Sequence, residues 1–162
     1  MLSMKKFFLA FLIVFLLPLS AAQADRPFQP FTGSGSGGGG RRYLTFVISG
    51  SLSVGDGTGT KCSELPSGFN GLNVVEAVAN VGTAGASGSA NLFQIRNATD
   101  TQDLFSTKIM IDAGETTSTT AATPYVVDTA HDDMATADSL CVDVDQLNTT
   151  PPSDLKITLG FE

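Results

Sequence analysis

The end of this chain alternates without a break. Leu155, Ile157, Leu159 and Phe161 fall at every second position, opposed by Lys156, Thr158 and Glu162. A period of two belongs to a strand with one face on a core, whereas a helix needs 3.6. Leu44, Phe46 and Ile48 alternate in the same way with Tyr43, Thr45 and Val47, as do Leu140, Val142 and Val144 with Cys141, Asp143 and Asp145. From Tyr43 onward, short β-rich runs are separated by Gly, Asn, Asp, Thr and Pro, which is the pattern of an all-β chain. Strands are expected at 43–49, 51–54 with a partner near 59–64, 72–82, 90–97, 105–112, 123–128, 138–145 and 154–162. Helical periodicity is limited to a single turn near Gly114–Thr120. The stretch from Leu72 to Val81 is apolar on both faces, which predicts a central strand or one covered by a partner chain. About eight strands predict a single antiparallel two-sheet β-sandwich of jelly-roll type over residues 43–162. Its Phe residues are Phe46, Phe69, Phe93, Phe105 and Phe161, with no Trp, so the core is light and self-association would relieve it.

The N-terminus reads as an export signal over residues 1–24. Lys5 and Lys6 precede the apolar run Phe7–Leu17, Pro18 breaks it, and Ala22-Gln23-Ala24 supplies the small-residue pattern for cleavage after Ala24. The eleven apolar residues reach about 16 Å as a helix, too short for a hydrocarbon core of about 30 Å. No second apolar stretch follows, so no stable membrane insertion is expected after cleavage. Residues 25–42 form a Pro/Gly/Ser-rich tether: Asp25–Thr32 carries Pro27, Pro30, Phe28 and Phe31, and Gly33–Gly40 has no side chain able to pack. The tether is either a leash joining the domain to something held by the N-terminal segment or a passive terminus.

Charge excludes one class of partner. The whole chain carries −7, and from Tyr43 onward four basic residues (Lys61, Arg96, Lys108, Lys156) face fifteen acidic ones. A globule this acidic repels phosphate backbones, so no nucleic-acid partner is expected.

Several stretches carry a resemblance: Val54-Gly55-Asp56-Gly57-Thr58-Gly59 with Leu65–Val75; Gln94–Asp100; Leu104–Ile109; Ile111-Asp112-Ala113-Gly114-Glu115; Ala121–Pro124 before Val127-Asp128; and Val142–Asp145. Behind a Gly/Ser-rich leader, residues 43–162 resemble the small β-sandwich domains of tailed-phage structural proteins, found in tail fibres, head fibres and capsid decorations. The resemblance implies an antiparallel sandwich, often a homotrimer, displayed from a particle by a flexible N-terminal segment. It brings no catalytic residues. The export signal departs from that pattern, since phage virion proteins are assembled in the cytoplasm.

The densest polar cluster is His131-Asp132-Asp133, flanked by Asp128 and Asp138. Asp128, Asp132, Asp133 and Asp138 are candidate Ca²⁺ ligands, because carboxylates in a flexible turn suit a hard cation. The other reading is a solvated connection between two strands, and no Gly sits where a tight coordinating turn would want one. Asp143 and Asp145, two apart, are expected to point together into solvent rather than to act as a glycosidase pair, since such pairs usually lie in aromatic-lined clefts and the chain has two Tyr and no Trp. Cys62 and Cys141 are an even pair in an exported chain and are expected to bridge, the alternative being two free thiols. Asn97-Ala98-Thr99 and Asn148-Thr149-Thr150 match the glycosylation sequon incidentally. The loops 82–89 and 147–154 are small and polar, and name no ligand.

These readings predict a non-enzymatic exported display or adhesion module, secreted or at the cell surface, whose partners are copies of itself and a surface or virion component. The alternative is a phage virion structural component, a capsid decoration or a tail or head fibre domain. A third reading is a secreted metal-dependent hydrolase using the aspartates between 128 and 145.

Overall fold

The alternating C-terminal run lies at the centre of a sheet in the computed structural model, which describes residues 40–162. The export signal, the cleavage point after Ala24 and the tether as far as residue 39 lie outside the described residues. The described residues form ten strands: β1 (Arg42–Ser51), β2 (Cys62–Glu64), β3 (Val74–Thr83), β4 (Asn91–Asn97), β5 (Gln102–Asp103), β6 (Phe105–Thr107), β7 (Ile109–Ile111), β8 (Val126–Val127), β9 (Ser139–Gln146) and β10 (Ser153–Phe161). Single 3₁₀ turns occur at Gly59–Lys61, Ser67–Phe69 and Ser118–Thr120.

The fold is an all-β antiparallel sandwich. β10 pairs with β1 on one side and β3 on the other. β9 pairs with β2 and β4, and β4 takes β5 and β7 on its far edge. Strands β1 to β4 alternate between the two sheets, the first strand neighbours the last, and the second neighbours the penultimate. That is jelly-roll connectivity. β6 and β8 pair separately.

Alternation places the core. Leu155, Ile157, Leu159 and Phe161 of β10, with Leu44 and Phe46 of β1 and Val74, Ala77, Ala79 and Val81 of β3, share one apolar cluster with Phe93, Ile95, Ile109, Ile111, Leu140, Val142 and Val144 of the opposite sheet. All five Phe residues of 43–162 belong to it. Phe69 stands edge-on to Phe161, ring centroids 5.0 Å apart, and closes one end.

Some expected elements take another form. Residues 52–54 make no strand: Leu52 is buried, its N–H donating to the Pro152 carbonyl at 3.0 Å, and the chain then crosses to the other sheet, where Gly55 and Val144 exchange backbone hydrogen bonds of 2.9 and 3.0 Å. The run 105–112 is divided at Lys108, so that β6 meets β8 while β7 meets β4. β3 is an edge strand rather than a central one. Its free edge is taken up by a loop: the Ala77 N–H donates to Tyr125 Oη (2.9 Å), Ala79 N–H to Ser118 Oγ (2.9 Å) and Val81 N–H to the Thr116 carbonyl (2.9 Å). Val75 and Val78 are half-buried, so the second apolar face of β3 belongs to a strand capped by its own chain. The fold also starts earlier than Tyr43. Arg42 pairs with Phe161, and Arg41 reaches Glu76 (3.0 Å) and Glu162 (3.1 Å).

Neighbouring positions on β10 give a paired test. Ile157→Ala is expected to lower the unfolding free energy by about 2–5 kcal/mol through lost burial and a cavity, whereas Lys156→Ala, on the exposed face, stays within about 0.5 kcal/mol in urea titrations.

Candidate functional site

The cluster around His131 is built from turns. His131 Nδ1 donates to Asp128 Oδ2 at 2.9 Å, and the Ala130 N–H donates to Asp128 Oδ1 at 3.1 Å. These bonds hold the Asp128 carboxyl below its ordinary value, the His131 bond contributing most. Asp138 is buried and closes its own turn, accepting from the Ala135 N–H at 2.8 Å. Asp132 and Asp133 use their backbones to hold the start of β3, through the Val74 N–H and a bridge to Asn73. The four candidate Ca²⁺ ligands are therefore not brought together, and among the described residues no three His, Cys, Asp or Glu side chains converge as a metal site.

Asp143 corrects its expected placement. It is buried rather than solvated, with its carboxylate accepting from Arg96 Nε at 3.0 Å and from the Gly57 N–H at 2.6 Å. Arg96 also donates to the Gly57 carbonyl at 3.3 Å, so both backbone groups of Gly57 are taken by one ion pair. The bond to Asp143 raises the Arg96 pKa. Glycine is needed at position 57, where a Cβ would run into the Val142 carbonyl. Asp145 turns to Lys108, 3.0 Å away. Each carboxylate is thus held by its own cation, and the two form no acid–base pair.

Beside this clamp, Cys62 and Cys141 face each other in register and are joined by a disulfide, Cα atoms 4.0 Å apart. Register runs Cys62, Cys141, Arg96 and Asp103 in one row across β2, β9, β4 and β5. A link over 79 residues of sequence removes about 4 kcal/mol of chain entropy from the unfolded state in the loop-closure picture.

One exposed surface held by many hydrogen bonds is at one end of the sandwich. Arg42, Phe161 and Val74 meet at the end where the chain enters, and Ser51, Ser153 and Thr83 meet at the opposite end. The nine residues of β10 separate these ends by about 30 Å. Residues 84–90 and 147–152 turn at the far end and are stitched together. Ala86 and Thr150 exchange backbone bonds of 3.1 and 3.0 Å, and the Thr149 N–H donates to the Ser87 carbonyl at 3.0 Å. Beneath them the buried pair Asn91 and Asn148 bond through Nδ2 to Oδ1 at 2.7 Å, while the Asn148 N–H donates to Asn91 Oδ1 at 2.9 Å. Asn148 Nδ2 also donates to the Ser89 carbonyl. Gly85 must lack a side chain here, because a Cβ would meet Asn148 Oδ1. What remains outside is small and uncharged: Ala86, Ser87, Gly88, Ser89, Thr149, Thr150 and Pro151.

Sequence reading pointed to these loops but missed the two asparagines beneath them. Asn91 opens an alternating strand and Asn148 lies in a polar loop, so only their burial reveals the role. The same burial, shared by Asn97, leaves neither sequon asparagine accessible as a glycan acceptor.

Comparison with protein-family models, with curated proteins and with solved structures finds no match to this chain. Among the described residues no helix is long and apolar enough to cross a membrane.

The Asp128–His131 contact makes a pH prediction. Its stabilising contribution is present above the ordinary carboxyl value of 3.8 and is lost as pH falls through the lowered folded value. In an NMR titration, the Asp128 carboxyl moves back up in His131→Gln.

Proposed function

We propose that this chain is a non-enzymatic display or adhesion module, exported by its N-terminal signal and acting by position. The observation that carries the reading is the placement of entry and tip at opposite ends. The chain comes in at Arg41 and Arg42, and the stitched turns 84–90 and 147–152 stand at the far end of β10. A segment attached through residues 25–40 would hold the entry end, leaving the tip facing outward. Loops on a rigid scaffold are where recognition usually sits. The turns themselves offer hydroxyls and backbone without charge, with the Asp154 carboxylate beside them at Gly82, so they suit a surface partner recognised by shape and neutral hydrogen bonds. Further copies of the chain are the second partner.

The virion reading, as a capsid decoration or fibre domain, is supported by the phage resemblance over 43–162 together with the jelly-roll connectivity. The hydrolase reading draws little support from the aspartates between 128 and 145: the carboxylates of Asp128, Asp138, Asp143 and Asp145 are engaged with His131, Arg96, Lys108 and backbone N–H groups, and among the described residues no three His, Cys, Asp or Glu side chains converge as a metal site.

Fractionating a culture that expresses the native gene separates the readings. Cell envelope, supernatant and gradient-purified particles are each digested and analysed by mass spectrometry. A mature N-terminus at Asp25 in envelope or supernatant is the expected result. Peptides concentrated in the particle band would replace it with the virion reading.

A further inference from the structure

We propose that the outer edge of β1 pairs antiparallel with the same edge of a second copy, making a twofold dimer with a continuous six-stranded sheet. This specifies the self-association in the functional reading, but it stands on its own observations. The first is an asymmetry between the two edges of the β1-β10-β3 sheet. β3 has its free N–H groups taken by Tyr125, Ser118 and Thr116. Among the described residues no strand pairs with the outer edge of β1, although β1 is ten residues long. Every second residue of such a strand directs its N–H and C=O outward, which is a template for another strand. The usual protections are missing from most of its length, since Arg42–Ser51 contains no Pro and no Lys, and the bulge comes only between Ile48 and Ser51. Beside the edge, the outward face carries Tyr43 and Val47, each more than half exposed.

Charge selects the occupant. Two copies of a chain this acidic repel over most of their surfaces, and of the longer strands β3, β9 and β10 each carry an acidic residue. β1 has none, and β4, which also has none, is paired on both sides. Antiparallel overlap also sets Arg42, next to the Arg41 that its own Glu76 and Glu162 already pair, alongside the end of the other β1, where the Asp154 carboxylate accepts from the Gly50 N–H at 2.8 Å. Because the contact is isologous, each such approach occurs twice. The chain's own 25–32 segment is the poorer occupant. Pro27 and Pro30 are three apart, so in an extended strand one of them must present its missing N–H to β1.

The test is sedimentation equilibrium of the purified chain across a concentration series, with amide exchange on the same samples. The expected mass is twice that of one chain, with β1 amides becoming protected as the dimer forms. Val47→Glu sets two carboxylates near the twofold axis and is expected to restore the monomer, whereas Val126→Glu, equally exposed but on β8, leaves the dimer intact. If Val47→Glu fails to fold, the concentration dependence of β1 exchange in the unaltered chain decides. A monomer throughout overturns both this proposal and self-association. A trimer or a dimer with β1 amides still exchanging freely, or a dimer that survives Val47→Glu, overturns the β1 edge alone. Protected β1 amides in a monomer would assign the edge to the chain's own N-terminal segment and overturn the proposal.

Discussion

The structure depends on β10 being paired along both sides. Its register with β1 runs from Arg42–Phe161 to Ser51–Ser153, and its register with β3 covers the same span. The inward residues Leu155, Ile157, Leu159 and Phe161 are at most 1% exposed. The last strand therefore holds the first strand and much of the core at once. It also sets the length of the sandwich, placing the entering chain at one end and the 147–152 turn at the other. Contacts this distant in sequence make the fold dependent on late, non-local pairing.

Around that sheet, polar groups are buried only where they are paired. Arg96 and Asp143 clamp Gly57, and Asn91 and Asn148 tie the tip. Gln94, also buried, donates to the Phe105 carbonyl at 2.8 Å and accepts from the Ile95 N–H at 2.9 Å. Among the described residues no buried side-chain nitrogen or oxygen lacks a partner. Removing one member of such a pair leaves the other dry and unbonded, a loss larger than the net gain of making the bond. These interactions fix one arrangement of loops on the sandwich more than they add to its stability.

What the sequence made legible follows the same division. Apolar–polar alternation announced β1, β9 and β10, which lie within about two residues of their expected bounds. β3 also lies within about two residues of its expected 72–82, but its place at the edge of the sheet was not legible, because the groups that cap it, Tyr125 and Ser118, are about 40 residues or more away in sequence. Asp143 misled for a related reason. Alternation places it outward with Asp145, but Gly57 and Arg96 come from 86 and 47 residues away to cover it. The Val54–Gly59 stretch held the one local signal, a glycine-rich turn whose Gly57 can lie against β9. The aspartates near His131 looked like a cation loop because sequence shows carboxylates but not the turn N–H groups that occupy Asp128 and Asp138.

In the proposed reading, function is a matter of which end faces outward. Two alanines serve as matched probes. Ala86 lies in the stitched tip, and Ala130 lies near the entry end, two residues before Asp132 whose carbonyl accepts from the Val74 N–H. Both are exposed, and the two native cysteines are bridged. Labelling Ala86→Cys and Ala130→Cys with an impermeant thiol reagent on intact cells or particles tests orientation directly. Faster modification at position 86 on intact material, becoming equal after detergent release, is the predicted result. Equal rates on intact material, or faster modification at position 130, would contradict an outward-facing tip.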